Sequence, residues 1–265
     1  MKQPQINRLA SGERARLQLF CLPYAGGTDG FYRSWCELMP PDIDLNVVFL
    51  SQESGLFGPQ NHADTETLPE IARRLADIML PHLTMPWAVF GHSMGAVLAL
   101  ELLLALMEKQ APPPVLLAVS AHVSPQFHQP DPLSSMSDDA LCEILLEMGG
   151  TSKAMLTSPG IRKMILRAVR QDLELLIDWH PPMPQALPCA VSAFWGEEDN
   201  LVSRPAMQGW RSWTQREFSD EVFPGGHFYF SDDPRPLVER LLARIRRALA
   251  SLENPPSFST TSILP

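Results

Sequence analysis

Cysteine is sparse in this 265-residue chain: four residues (Cys21, Cys36, Cys142, Cys189), scattered, with no C-x-x-C pair and no histidine at metal-ligand spacing. That pattern leaves no metal site to propose, and it reads as reduced thiols in a cytoplasmic protein. Positive charge is also in deficit. Twenty-one Lys and Arg against 30 Asp and Glu give a formal charge of −9, which argues against a nucleic-acid partner or an anionic membrane bound through overall charge. No apolar run approaches the ~20 residues of a membrane span, and Met1 to Arg16 is polar, without the apolar segment of a signal peptide. No internal repeat is present. An apolar fraction of 45% suffices for a full core, and the length fits one large α/β domain with an insertion.

The organising stretch runs from Trp87 to Gln110. Four apolar residues, Trp87 to Phe90, precede Gly91-His92-Ser93-Met94-Gly95, and a long apolar run follows. This is a buried strand, a tight turn and a helix, the context that a G-x-S-x-G nucleophile elbow requires. Glycine is needed at 91 and 95 because a Cβ on either side of the serine would collide where strand and helix pass closely.

Around it, apolar strands alternate with helices. Leu17 to Leu22, Leu45 to Leu50 and Val115 to Val119 read as buried strands, and Thr67 to Leu83 has apolar residues at helical spacing. Continuous apolar strands separated by helices indicate a mostly parallel sheet covered on both faces. Phe31 to Met39 fits a short helix, and Ser51 to Thr65 has turn composition. The alternation breaks after Ser120. Between about 121 and 188 no strand is expected, only two helices: Asp138 to Met148, capped by Ser137 and closed by Gly149-Gly150, and a second opened by Ser158-Pro159. A helical insertion there would form a lid over the carboxyl edge of the sheet, with Leu141, Ile144, Leu145, Ile165, Leu166, Leu173 and Leu176 lining a chamber, packing the lid down, or both. Strands return at Ala190 to Trp195 and Glu221 to Phe223, and a helix from about Pro236 to Leu252 closes the domain. The domain is therefore expected over 17–252, with a disordered leader (1–16) and tail (253–265).

Three features stand in one order along the chain: Ser93 at the elbow, the acidic loop Glu197-Glu198-Asp199 after a strand, and His227 after the last strand. Ser, acid, His is the order of the α/β-hydrolase fold. His227 can take the serine proton if a carboxylate fixes its tautomer. Asp199 is the favoured carboxylate, with Glu197 and Glu198 as rivals. The anion formed at an attacked carbonyl needs fixed donors. The N–H of Met94 is one, and the Tyr24-Ala25-Gly26 loop, which follows a strand, supplies the second. His92 is expected to support the turn, His122, His128 and His180 to be structural or solvated, and His62 and His82 to lie on the surface.

Together these segments resemble the type II, or external, thioesterases of polyketide and nonribosomal peptide assembly lines. The matching stretches are Leu22-Pro23-Tyr24-Ala25-Gly26-Gly27, Phe90 to Gly95, Gly149-Gly150-Thr151, Leu166-Arg167-Ala168 with Asp172, Trp195 to Asp199, and Pro224-Gly225-Gly226-His227-Phe228. The resemblance implies an α/β-hydrolase fold and hydrolysis of an acyl thioester carried on the phosphopantetheine arm of an acyl or peptidyl carrier protein. It needs no cofactor of its own. It also implies a triad of Ser93, Asp199 and His227, and an oxyanion hole from the N–H groups of Ala25 and Met94. One departure stands out: where the family usually has Leu-Pro-Gly-Arg, this chain has Leu50-Ser51-Gln52-Glu53.

From Thr151 to Gln171 the lid carries Lys153, Arg162, Lys163, Arg167 and Arg170 and no acidic residue. In an acidic protein this is a candidate docking surface for an acidic carrier protein. Two other functions fit the same triad residues: a carboxylesterase acting on small oxygen esters, and a hydrolase fold used only for binding.

Overall fold

A strand that is apolar at nearly every position has two faces to bury, and Leu17–Leu22, Trp87–His92 and Leu116–Ser120 are buried throughout. The structure, a computed structural model describing residues 5–49, 66–130 and 132–253, places them at the centre of a seven-stranded sheet. In chain order its strands are β1 (Gln5–Ala10), β2 (Leu17–Leu22), β3 (Ile43–Phe49), β4 (Trp87–His92), β5 (Leu116–Ser120), β6 (Ala190–Gly196) and β7 (Phe218–Phe223). Their spatial order is β1-β3-β2-β4-β5-β6-β7, parallel throughout except for β1, which runs antiparallel to β3. This is the mostly parallel α/β-hydrolase sheet that the strand pattern predicts.

Period-two alternation sends each strand's side chains to opposite layers. Phe20, Leu22, Val89 and Val119 join one core with α1 (Leu68–Met79) and α2 (Met94–Glu108). Leu19, Cys21, Phe90 and Ala118 join the other, with Tyr32 and Trp35 of a 3-10 helix (Asp29–Leu38) and the apolar face of a C-terminal helix. α2 is buried nearly all round, as a helix pressed between a sheet and a neighbouring helix must be. Between β5 and β6 lies the lid: α3 (Asp138–Met148), α4 (Lys153–Thr157) and α5 (Pro159–Ile177). It has a small core of its own from Leu141, Cys142, Leu156, Leu166 and Val169. Ser137 caps α3 by accepting from the Ala140 N–H, and Gly149 closes it at φ 85°. Between β6 and β7 come α6 (Arg204–Gln208) and a 3-10 helix (Gly209–Trp213) that buries Trp210 and Trp213; α7 (Arg235–Glu253) ends the described chain.

The leader departs from expectation. Gln5–Ala10 is not disordered but an edge strand, held by main-chain pairing with β3 and a register shift between Arg8 and Ala10. Its polar residues belong to an edge that water still reaches, and Ile6 packs toward one core while Leu9 and Ala10 pack toward the other. The lid has a third helix, α4, too short for periodicity to reveal. The turn stretch 51–65, with His62 and Ser51-Gln52-Glu53, and the tail beyond Glu253 lie outside the described residues.

Candidate active site

Ser93 stands at the N-terminal boundary of α2 with φ 53°, ψ −125°, a backbone conformation that costs on the order of 1–3 kcal/mol for a residue with a Cβ. The surroundings enforce it. The Ser93 N–H donates to the Ser120 carbonyl at 2.7 Å, fixing the elbow to β5. A Cβ on Gly91 would lie 2.1 Å from the Gly95 carbonyl oxygen, and one on Gly95 would lie 2.5 Å from that of Leu22. Backbone touches backbone on both sides of the serine.

The two other loops interlock in the same way. A Cβ on Gly196 would meet the carbonyl oxygens of Gly226 and Gly225 at 2.1 and 2.3 Å. The Glu197 N–H donates to Phe223 and the Glu198 N–H to Gly225. This clasp buries Asp199 and His227 and leaves Glu197 and Glu198 exposed. Asp199 Oδ2 accepts from His227 Nδ1 at 2.8 Å, and its Oδ1 accepts from the Leu201 N–H at 3.0 Å. Of the three acidic residues in this loop, Asp199 is the one bonded to the imidazole. With Nδ1 donating, His227 Nε2 carries the lone pair, and that buried nitrogen has no hydrogen-bond partner. Ser93 and His227 line the same cavity.

His92 lies beside this pair without sharing its chemistry. Its Nδ1 shares a hydrogen bond with Ser120 Oγ, which is bonded in turn to Tyr229 OH. Its ring sits 5.1 Å from that of His227 and 4.9 Å from that of Phe228. Burial, reinforced by the neighbouring His227, holds its basicity well below the ordinary histidine value, so it stays neutral. His122 donates to the Val123 carbonyl and His128 to that of Leu176, and the two rings stack near Trp179. Burial pushes the His122 pKa down to about 4. Both are half-buried, while His180 and His82 are exposed.

The cavity holds about 610 Å³. Tyr24, Ala25 and Gly26 edge it beside Ser93 and His227, and the lid supplies an apolar wall that includes Leu141, Ile144, Leu145, Ile165, Val169 and Leu173. Leu166 instead packs the lid's own core, and Leu176 packs toward the core of α1 and α2. Leu141 and Val169 do both, lining the cavity and packing the lid's own core. Met94 begins α2, where a backbone N–H has no acceptor within the helix. At the cavity's edge, Asn7 of β1 donates to Asp29, which also pairs with Arg33. Asn7 reaches this edge because β1 is a strand rather than a loose leader.

Two contacts join the lid to the site. A Cβ on Gly150 would strike the ring of Phe228 at 2.5 Å. The fully buried Asp172 of α5 accepts from the Gly26 N–H at 2.7 Å. A carboxylate on the apolar stripe of α5, between Val169 and Leu173, is the sequence signal for the second.

The basic stretch is not uniformly basic in space. Arg162 pairs with Asp139 at 2.6 Å, and Arg170 pairs with Asp138 at 2.8 Å and donates to the Met136 carbonyl. α3 contributes the carboxylates that the stretch itself lacks. Lys153, Lys163 and Arg167 are exposed. Lys163 and Arg167 share a groove with Glu66, Glu174 and Asp178.

No helix among the described residues is long and apolar enough to cross a membrane, and all four cysteines are free thiols. The family model described as the thioesterase domain matches residues 17–249. The gramicidin S biosynthesis protein GrsT of Aneurinibacillus migulanus is 28% identical over 237 residues, spanning 89% of this chain and 91% of that protein. Among solved structures, the thioesterase RedJ from the prodiginine pathway of Streptomyces coelicolor is 31% identical. It covers 90% of this chain and 92% of its own, with a TM-score of 0.75. The type II thioesterase BorB from the borrelidin biosynthetic cluster is 27% identical, covering 91% and 97%, with a TM-score of 0.78. With the family model spanning the whole sheet from β2 onward, the lid and most of α7, this chain belongs to the thioesterase domain family and is a thioesterase of the type II kind.

Proposed function

We propose that this thioesterase removes acyl groups from the phosphopantetheine arm of acyl or peptidyl carrier proteins, as an editing or releasing step in polyketide or nonribosomal peptide synthesis. The observation that carries the reading is one cavity with a nucleophile elbow and a carboxylate-held imidazole at its floor and aliphatic lid residues along its wall. An acyl chain fills such a wall, and a thioester carbonyl is what the floor would attack. Ser93 gives its proton to His227 Nε2 as its oxygen adds to the carbonyl, while Asp199 stabilises the imidazolium. The N–H groups of Ala25 and Met94 take the resulting oxyanion. As the carbon–sulfur bond breaks, His227 returns the proton to the pantetheine sulfur and an acyl ester is left on Ser93. Water, deprotonated by His227, then adds to that ester. The acid leaves and the proton returns to Ser93.

The test is intact-mass analysis of carrier proteins loaded with acyl groups of different length, incubated with the enzyme and with Ser93→Ala. Loss of the acyl mass is expected with the wild type. The variant should be slower by at least about 10³-fold. Equal turnover by Ser93→Ala would overturn the mechanism. Rapid hydrolysis of a nitrophenyl ester with loaded carriers left intact would shift the substrate to small oxygen esters.

A further inference from the structure

The loop that borders Ser93 is a tight turn whose geometry is set from the lid. The Gly27 N–H donates back to the Tyr24 carbonyl at 2.8 Å, and Gly26 has φ +74°. This is the arrangement of a type II turn, with Ala25 and Gly26 at its corner and glycine supplying the positive φ. In such a turn the peptide between the corner residues carries the Gly26 N–H, whereas the Ala25 N–H belongs to the peptide before it and keeps its aim only while the turn as a whole stays seated. Glycine at the second corner position favours the type II form but does not fix where the turn sits against Ser93. What seats it is Asp172, whose buried carboxylate accepts the Gly26 N–H at 2.7 Å across 146 residues of sequence. Val169, one helical turn earlier on α5, closes over the same glycine: a Cβ there would lie 2.6 Å from Val169 Cγ2. α5 therefore grips the turn at one residue with one polar and one apolar contact. The same helix face supplies Ile165, Val169 and Leu173 to the wall of the cavity.

We infer that Asp172 is a positioning residue that locks the Tyr24–Gly27 turn with the Ala25 N–H aimed at the reacting carbonyl, so that the oxyanion site is complete only while α5 is seated. The inference rests on the proposed function, since it takes Ala25 as an oxyanion donor. Asp172 touches no reacting atom; it acts through Gly26. Its contribution falls on the transition state, where charge develops on oxygen, and hardly at all on ground-state binding of the acyl chain.

The experiment compares the wild type with Asp172→Ala and Asp172→Asn, using the hexanoyl thioester of N-acetylcysteamine as the small substrate and Ser93→Ala as the reference for the proposed function. Asp172→Ala is expected to lower kcat roughly 10- to 100-fold, less than the full loss of an oxyanion donor, with KM changed by no more than about threefold. Asp172→Asn retains a carbonyl that can accept from Gly26 and should recover kcat to within about fivefold of the wild type. Where the alanine variant does not fold, Asp172→Ser, too short to reach Gly26, should show the same split of kcat from KM. An unchanged kcat, parallel losses in kcat and KM, or an asparagine variant as impaired as the truncated one would each overturn the inference. Full activity in Ser93→Ala would instead remove the proposed function beneath it, so the two failures are distinguishable.

Discussion

Holding Ser93 at φ 53° is a task carried out by its glycine neighbours, because main chain presses on main chain there and neither side can yield. Gly95→Ala would set a Cβ 2.5 Å from the Leu22 carbonyl oxygen and 2.7 Å from that of Pro23, at the end of β2. The expected loss is roughly 3 kcal/mol or more, the upper range for forced overpacking, since backbone cannot swing aside as a side chain can. Gly160→Ala is the contrast. Nothing lies within 4 Å of its added methyl, it sits in the first turn of α5, and a gain of up to about 1 kcal/mol is expected from helix propensity. Thermal melts of the two variants check both signs, and similar shifts in the two would contradict the packing account. The glycines of the elbow were legible in the sequence because the pentapeptide states its own geometry. The sequence favours Asp199 over Glu197 and Glu198 without settling the choice, because it depends on Gly196 meeting Gly225 and Gly226, a contact between segments about 30 residues apart in the chain.

The elements of the sheet interior announce themselves through burial on two faces, and β2, β4 and β5 lie where their apolar runs put them. β1 does not, since an edge strand is held by main-chain bonds that composition does not record. The seating of the lid is similarly hidden. At the end of α5, Trp179 Nε1 donates to Glu101 Oε1 of α2 at 2.7 Å, and both residues are buried. Burial raises the Glu101 pKa above the ordinary carboxylate value, against the opposing effect of the Trp179 bond. A carboxyl raised in the folded state contributes its full stability below the unfolded value. That contribution is lost as pH climbs through the folded value, because the buried group must then ionise. Glu101→Gln keeps an acceptor for Trp179 and has no proton to lose. Its melting temperature relative to the wild type should therefore rise from pH 4 to pH 8. A difference that is constant across that range, or of opposite slope, would show that Glu101 is not held against ionisation.

At the scale of the whole molecule the formal charge is −9, and the lid face stands apart from it less than a one-dimensional count suggests. Arg162 and Arg170 are answered by Asp139 and Asp138 across the α3–α5 contact. Such exposed pairs add little stability, but they cancel each other's field at the distance of a partner. The exposed cations that would remain to attract an acidic carrier protein are Lys153, together with Lys163 and Arg167 at a groove that also holds Glu66, Glu174 and Asp178, in the company of the exposed Met164 and Ile161 of α5. A carrier that docks there would bring its arm to a lid whose inner side walls the acyl cavity. Attraction of this kind acts mainly on encounter and is screened by salt. Reversing Lys153, Lys163 and Arg167 to glutamate should then lower kcat/KM for a carrier-bound acyl group by roughly tenfold at low ionic strength. The deficit should narrow as salt is added, and hydrolysis of a small thioester should stay within about twofold of the wild type. Replacing Arg162 and Arg170 with glutamine, which removes cations already answered by α3, should leave kcat/KM for either substrate within about twofold of the wild type. If the triple reversal slows both substrates equally, or if its effect on the carrier is indifferent to salt, the carrier approaches by another face and these three cations serve only to keep the lid in water.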